Sequence, residues 1–133
     1  QISYTYSKQK KIASPWSQVV LEIKNKIELE LNTTFNGCLL NLYTSGDIGM
    51  AWHSDNEPEL DEAGIIVSVS FGATRSFQLK HKQSGEKIYL TLENGSILVM
   101  DMHSQKHWMH QLKKEPKIKE PRVNLTFRQF KAT

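Results

Sequence analysis

The chain has 133 residues, a length for one domain with a single sizeable core and too little for two. Apolar residues at 38% and charged residues at 23% are the proportions of an ordinary soluble globular protein, and the longest apolar run, Ile65 to Phe71, is far too short to span a bilayer. A net charge of +3 with a pI near 9.0 suits a polyanionic partner, the lone Cys38 excludes an internal disulfide framework, and no charged stretch followed by an apolar one marks the chain for secretion.

The first chain feature is a basic group, Lys8, Lys10 and Lys11, followed by Ser14-Pro15, which reads as an N-cap with proline at the first helical position. From there Trp16, Val20, Ile23, Ile27 and Leu31 recur at helical spacing and predict one amphipathic helix of about four turns, ended by Asn32-Thr33-Thr34. After Gly37 the pattern predicts strands for the rest of the chain: Cys38 to Thr44, Ile65 to Phe71, Ser76 to His81, Lys87 to Leu92, Ser96 to Asp101 and Arg122 to Phe130. Turn signals separate them at Ser45-Gly46-Asp47, Gln83-Ser84-Gly85 and Glu93-Asn94-Gly95. Further lysines cluster at Lys80 and Lys82 and at Lys113, Lys114, Lys117 and Lys119; they speak for a polyanion only if they surround one site. Cys38 reads as a small buried hydrophobe at a strand start. One helix ahead of many short strands predicts a mainly β fold, a sandwich or jelly roll with an N-terminal buttressing helix.

Trp52-His53-Ser54-Asp55 carries the first chemistry. A histidine and an aspartate two apart on an extended segment point to the same face, because strand side chains alternate. A second histidine would complete two imidazoles and one carboxylate, the facial set that suits non-haem iron(II) and leaves positions open. Such pairs are also common as surface polar residues. The candidates for the second histidine are His81, His103, His107 and His110, and spacing alone does not separate the last three.

The closing strand carries the second. Val123, Leu125 and Phe127 form one face of Arg122-Val123-Asn124-Leu125-Thr126-Phe127-Arg128, so Arg122, Asn124, Thr126 and Arg128 share the other. If that face lines a barrel interior, each guanidinium needs an anion, and two planar forks match a dicarboxylate such as 2-oxoglutarate. The plainer alternative is a solvated edge strand kept soluble by its arginines. Asn41 and Tyr43 alternate with Leu40 and Leu42, which places their polar ends together ahead of the iron motif.

Taken in order, these blocks resemble the AlkB-type oxidative nucleic-acid demethylases. The resemblance runs from about Tyr4 to Phe130. It rests on Leu40-Asn41-Leu42-Tyr43, His53-Ser54-Asp55-Asn56-Glu57-Pro58-Glu59-Leu60, Ser68-Val69-Ser70-Phe71-Gly72-Ala73-Thr74-Arg75, Asn94-Gly95-Ser96-Ile97-Leu98-Val99-Met100, His107-Trp108-Met109-His110 and the closing strand. It is nearest the DNA-repair branch. It implies a double-stranded β-helix with iron(II) held by His53, Asp55 and His110, and 2-oxoglutarate held by Asn41, Tyr43, Arg122, Asn124 and Arg128, with Ser68 near the same pocket and O2 as co-reactant. It also implies base or strand contacts at Tyr4, Tyr6 and Glu57, a looser substrate role for Arg75, and phosphate contacts at Lys80 and Lys82. The implied activity is oxidative demethylation of bases such as 1-methyladenine or 3-methylcytosine in DNA or RNA, releasing aldehyde. The implied protein is a single domain over residues 1–133, monomeric, away from membranes, and cytoplasmic or, in a eukaryote, nuclear. Gln1 falls inside the family's lid region, so the more N-terminal lid elements are expected to be missing. The competing readings are a 2-oxoglutarate oxygenase acting on a protein or small molecule, and a non-catalytic jelly-roll binding module.

Overall fold

A computed structural model of the chain describes residues 16–131 and, ahead of them, the backbone of two strands, β1 (Ser3–Tyr6) and β2 (Gln9–Ile12), paired antiparallel with Tyr4 opposite Lys11. The helix α1 (Gln18–Leu31) starts later than the sequence predicts. Its N-cap is Ser17, whose hydroxyl accepts from the Val20 N–H at 3.3 Å, while Trp16 stays outside the helix and stacks on Phe127 at 6.4 Å. Ser14 and Pro15 lie outside the described residues. Asn32 ends the helix in the left-handed region (φ 51°), a conformation asparagine tolerates better than most residues, and its N–H closes on the Glu28 carbonyl.

Eight strands follow as two four-stranded antiparallel sheets. One has the order β3 (Gly37–Tyr43), β10 (Arg122–Arg128), β5 (Ile65–Gly72), β8 (Ile97–Asp101); the other has β4 (Met50–His53), β9 (Trp108–Leu112), β6 (Arg75–His81), β7 (Lys87–Leu92). Apart from the β6–β7 hairpin, each strand passes to the opposite sheet, so the chain winds around one interior as the expected double-stranded β-helix. Alternation along β10 and β5 sorts their side chains. Val67, Val69, Leu125 and Phe127 face outward and pack under Ile27 and Phe35, with Val20 and Ile23 of α1 against them. Leu40 and Leu42 on β3 and Ile97 and Val99 on β8, at the two edges of this face, stay exposed. The inward residues of β5 and β10 are polar, apart from Ile66, and meet an apolar set from the other sheet that includes Phe77, Leu92 and Leu112.

Three local expectations need correction. The run after Asp101 is a six-residue helix, α2 (Met102–His107), capped by the Asp101 carboxylate on the Ser104 N–H at 2.7 Å; its exposed histidines and lysine carried no strand or helix period strong enough to read. The sequence pattern predicts neither of the short strands β4 and β9, only an extended segment at the His53 motif. β4 ends at His53 after an irregular register with β9, so Asp55 sits in a loop and not on a strand. The closing strand ends at Arg128, and Phe130 makes only an isolated bridge to Leu60.

Candidate active site

The metal-binding question reduces to geometry. Among the described residues, one cluster of His, Cys, Asp or Glu could hold a metal ion: His53, Asp55 and His110, whose candidate donor atoms lie within 4.8 Å of one another. Register explains it, since His53 of β4 stands directly opposite His110 of β9 with ring centroids 4.2 Å apart. This separates His110 from the other three candidates. His81 accepts the Gln83 and Ser84 N–H groups at Nδ1, and its ring stacks on His107, which in turn lies beside His103.

The donors are set up for a cation. His53 Nδ1 lies 2.8 Å from the Ala51 carbonyl, which can only accept, so the neutral ring carries its proton there and keeps a lone pair on Nε2. Burial, helped by the neighbouring His53, pushes the His110 pKa down to about 4, which leaves this imidazole neutral at physiological pH, as a ligand must be. Asp55 is 3% exposed; its Oδ2 meets Arg128 Nη2 at 3.3 Å, while Oδ1 is buried with no hydrogen-bond partner. His110 Nδ1 is likewise buried and unpartnered. Orphaned polar atoms of two residues within one three-residue cluster fit the donor set of a metal ion.

Beside the cluster, Asn41, Tyr43, Ser68, Arg122, Asn124 and Arg128 line one continuous pocket with Met50, Phe77, Met100 and Leu112. The polar face of β10 is therefore interior, and the solvated-edge alternative does not hold. A ladder of bonds fixes it: Asn124 Nδ2 donates to Ser68 Oγ at 2.6 Å, Thr126 Oγ1 to Asn124 Oδ1 at 2.7 Å, and Arg122 Nη2 to Ser70 Oγ at 3.0 Å. Arg122 is 3% exposed, its Nε has no hydrogen-bond partner, and no carboxylate of the described residues pairs with it. Burial lowers its pKa, and the Tyr43 hydroxyl, through its charge and a side-chain hydrogen bond, opposes that shift; the Tyr43 ring centroid lies 5.2 Å from the guanidinium. Burial raises the Tyr43 pKa, keeping a neutral phenol available as a donor.

Arg75 is placed elsewhere than a substrate contact requires. It is 1% exposed and behind Tyr43, with Nε on Glu115 Oε2 at 3.1 Å, Nη1 on the Ser45 carbonyl at 3.4 Å, and Nη2 on the Ile48 and Lys113 carbonyls at 2.8 and 2.9 Å. Its donors are consumed in tying the β3–β4 turn to the loop before β10. Gly46 belongs to that junction: a Cβ there would run into the Glu115 carbonyl. Glu57 is half-buried two residues past Asp55, and burial, with the Asp55 charge adding to it, raises its pKa. Lys80 lies over the Trp52 ring at 4.4 Å, and Lys82 Nζ donates to the Gln105 carbonyl at 3.3 Å. The side chains of Tyr4 and Tyr6 lie outside the described residues, as do those of Lys8, Lys10 and Lys11. Lys82 is anchored at the start of β9, through its N–H on the His107 carbonyl, and Lys113 follows the end of that strand, so these two basic groups lie at opposite ends of β9.

The sequence reading missed Ser70 and Gln105. The alternation in Ser68-Val69-Ser70 could have supplied Ser70; nothing in the sequence points to Gln105, whose side-chain carbonyl accepts the Asp55 N–H at 2.9 Å.

Comparison with known proteins agrees with this geometry. The family model of the 2OG-Fe(II) oxygenase superfamily matches residues 1–128. The chain is 41% identical over 138 residues to the human alpha-ketoglutarate-dependent dioxygenase alkB homolog 3, covering 96% of this chain and 48% of that protein. It is 37% identical over 140 residues to the human DNA oxidative demethylase ALKBH2, covering 99% and 54%. The chain thus spans about half the length of the curated relatives it matches. The solved structure of OsALKBH1 superimposes with a TM-score of 0.64 at 21% identity, over 91% of this chain and 67% of that one, a likeness of fold. By the family match and the site that goes with it, the chain belongs to the 2OG-Fe(II) oxygenase superfamily, with AlkB-type proteins as its relatives and iron(II), 2-oxoglutarate and O2 as the family's reactive partners.

Proposed function

We propose that this chain catalyses iron(II)- and 2-oxoglutarate-dependent oxidative demethylation of N-alkylated bases in nucleic acid. The observation that carries the oxygenase part is the buried, carboxylate-free Arg122 in the pocket that also holds His53, Asp55 and His110. A guanidinium in that position is strongly destabilising unless an anion joins it. In this reading His53, Asp55 and His110 hold iron(II), Arg122 and Arg128 receive the two carboxylates of 2-oxoglutarate, and Tyr43, Asn41 and Asn124 complete its hydrogen bonds. Bound iron(II) with 2-oxoglutarate and O2 supplies the oxidising power that hydroxylates the N-alkyl carbon, after which the alkyl group leaves as aldehyde. The chain's own residues keep the His110 imidazole neutral, orient the His53 ring through the Ala51 carbonyl, hold the Asp55 carboxylate against Arg128 and line the cavity with apolar groups.

The nucleic-acid part rests on the similarity to a protein named as a DNA oxidative demethylase and to alkB homolog 3. A base in a duplex must leave the stack to reach the metal, least expensively when the lesion already blocks pairing, as 1-methyladenine and 3-methylcytosine do. Tyr4, Tyr6, Glu57, Lys80 and Lys82 are the proposed contacts to base and strand. Residues 1–133 are proposed as a single dioxygenase domain that acts as a monomer, in the cytoplasm or a eukaryotic nucleus. Among the described residues no helix is long and apolar enough to cross a membrane.

The test is mass spectrometry of methylated DNA and RNA oligonucleotides incubated in parallel with protein, iron(II), ascorbate and 2-oxoglutarate. Loss of the methyl group from either supports the proposal and ranks the two substrates. Succinate formed with both oligonucleotides left unchanged would point to a protein or small-molecule substrate instead.

A further inference from the structure

The loop that carries Asp55 has no sheet to hold it. β4 stops at His53, and from there Ser54 and Asp55 leave the ladder, although Asp55 is 3% exposed and its N–H needs an acceptor. That acceptor comes from fifty residues away in sequence: Gln105 Oε1, at 2.9 Å. Gln105 is itself 2% exposed, a neutral amide buried whole in α2. Its two ends are unequally used. The oxygen takes a backbone N–H, while Nε2 reaches only the Met100 Sδ at 3.5 Å, a weak acceptor. The side chain is therefore kept for its oxygen. A second tie beside it, Ser54 Oγ to the Trp108 carbonyl at 2.7 Å, fixes the preceding residue to the start of β9. α2 is in turn anchored by its Asp101 cap and by Lys82, which binds the His107 and Gln105 carbonyls.

We propose that Gln105 is a positioning residue for the metal centre: by accepting the Asp55 N–H it fixes the carboxylate so that Oδ2 meets Arg128 while the group stays within reach of the two imidazoles. This rests on the reading of His53, Asp55 and His110 as metal ligands. Partners behind a ligand typically change metal affinity by about 10–100-fold when removed.

The experiment is calorimetric titration of the metal-free protein with Mn(II), without substrate, on wild type, His53→Ala, Gln105→Met, Gln105→Glu, Gln105→Asn and Gln78→Met, with circular dichroism of each. Gln105→Met keeps length and apolar packing but removes the acceptor; it is expected to weaken Mn(II) binding roughly 10–100-fold. Gln105→Glu keeps an oxygen for the Asp55 N–H and is expected to bind more tightly than the Met variant. A role in packing alone would give the reverse order, since methionine fills the apolar space better than a carboxylate. Gln78, paired with Gln111 across β6 and β9, is the control, and its Met variant should bind as wild type does. Should Gln105→Met fail to fold, Gln105→Asn, which draws the acceptor back, carries the test and should bind more weakly than wild type. Wild-type affinity in the folded Met variant, or in the Asn variant, overturns the proposal. Wild type binding no better than His53→Ala would overturn the metal-site reading beneath it.

Discussion

Replacing Arg122 by methionine should have opposite effects with and without cosubstrate. Without it, Arg122 is a buried cation supported by Ser70 Oγ and by Tyr43, with no carboxylate of the described residues paired to it. Methionine has similar length and no charge to bury, and exchanging buried charges for well-packed apolar groups is often neutral or stabilising by about 1–4 kcal/mol. The 2-oxoglutarate-free protein should therefore unfold in urea at the same or a higher midpoint after Arg122→Met. With 2-oxoglutarate and Mn(II) present, the variant loses a buried charge-assisted pair, a loss of about 2–5 kcal/mol. At about 1.4 kcal/mol per tenfold, binding should weaken roughly 30-fold to a few thousand-fold. Urea melts at fixed high 2-oxoglutarate should then show stabilisation of wild type and little or none of the variant, since only a ligand bound to the folded state raises its stability. Unchanged 2-oxoglutarate affinity would refute the reasoning. So would a loss of several kcal/mol in the cosubstrate-free variant, which would mean the protein itself compensates the charge.

Other expectations follow from the same side chains. His53→Ala, Asp55→Ala and His110→Ala should each abolish 2-oxoglutarate turnover to succinate with circular dichroism retained, whereas His81→Ala, His103→Ala and His107→Ala should remain active; the succinate assay distinguishes the two groups. Arg75→Met removes four hydrogen bonds, to the Ser45, Ile48 and Lys113 carbonyls and to Glu115, so urea unfolding should show a loss of about 3–5 kcal/mol, at about 1 kcal/mol for each bond. His110 has a pKa of about 4 when folded and an ordinary 6.5 when unfolded, so between those values the unfolded chain binds more protons; urea midpoints of the metal-free protein should fall as pH drops through that window, and less so in His110→Gln. Burial pushes the Cys38 thiol up to about 12, above its ordinary value of 9.0, so its contribution to stability is present below about pH 9 and is lost toward pH 12. At pH 8 Cys38 should therefore react with a disulfide reagent slowly in the folded protein and quickly in urea.

What could be read from the sequence followed the strength of the period. β5 and β10 alternate cleanly over seven or eight residues, so the face shared by Arg122, Asn124 and Arg128 is legible in the sequence; that this face is interior is not, since a solvated edge strand fits the same alternation. Most of the helix was legible from its apolar spacing, but not its start: Ser14-Pro15 offered a stronger cap signal than Ser17, and only the Ser17 hydroxyl on Val20 decides between them. β4, α2 and β9 are four to six residues each, too short for any period to declare itself, yet they carry His53, Gln105 and His110. The choice of His110 over its neighbours depends on β4 pairing with β9, a contact between segments more than fifty residues apart. Arg75 misled for a related reason: an arginine next to a site motif looks available, and only the convergence of three distant carbonyls and Glu115 shows its donors already taken.

The central claim, that this pocket oxidises an N-alkyl group on a base at the expense of 2-oxoglutarate, is tested most directly by stoichiometry. A 1-methyladenine oligonucleotide is incubated with protein, iron(II), ascorbate and 2-oxoglutarate, and succinate, formaldehyde and unmodified adenine are counted over time for wild type and Asp55→Ala. The account predicts equal amounts of the three products from wild type and none from the variant. Adenine released without succinate, or products persisting in Asp55→Ala, would contradict it.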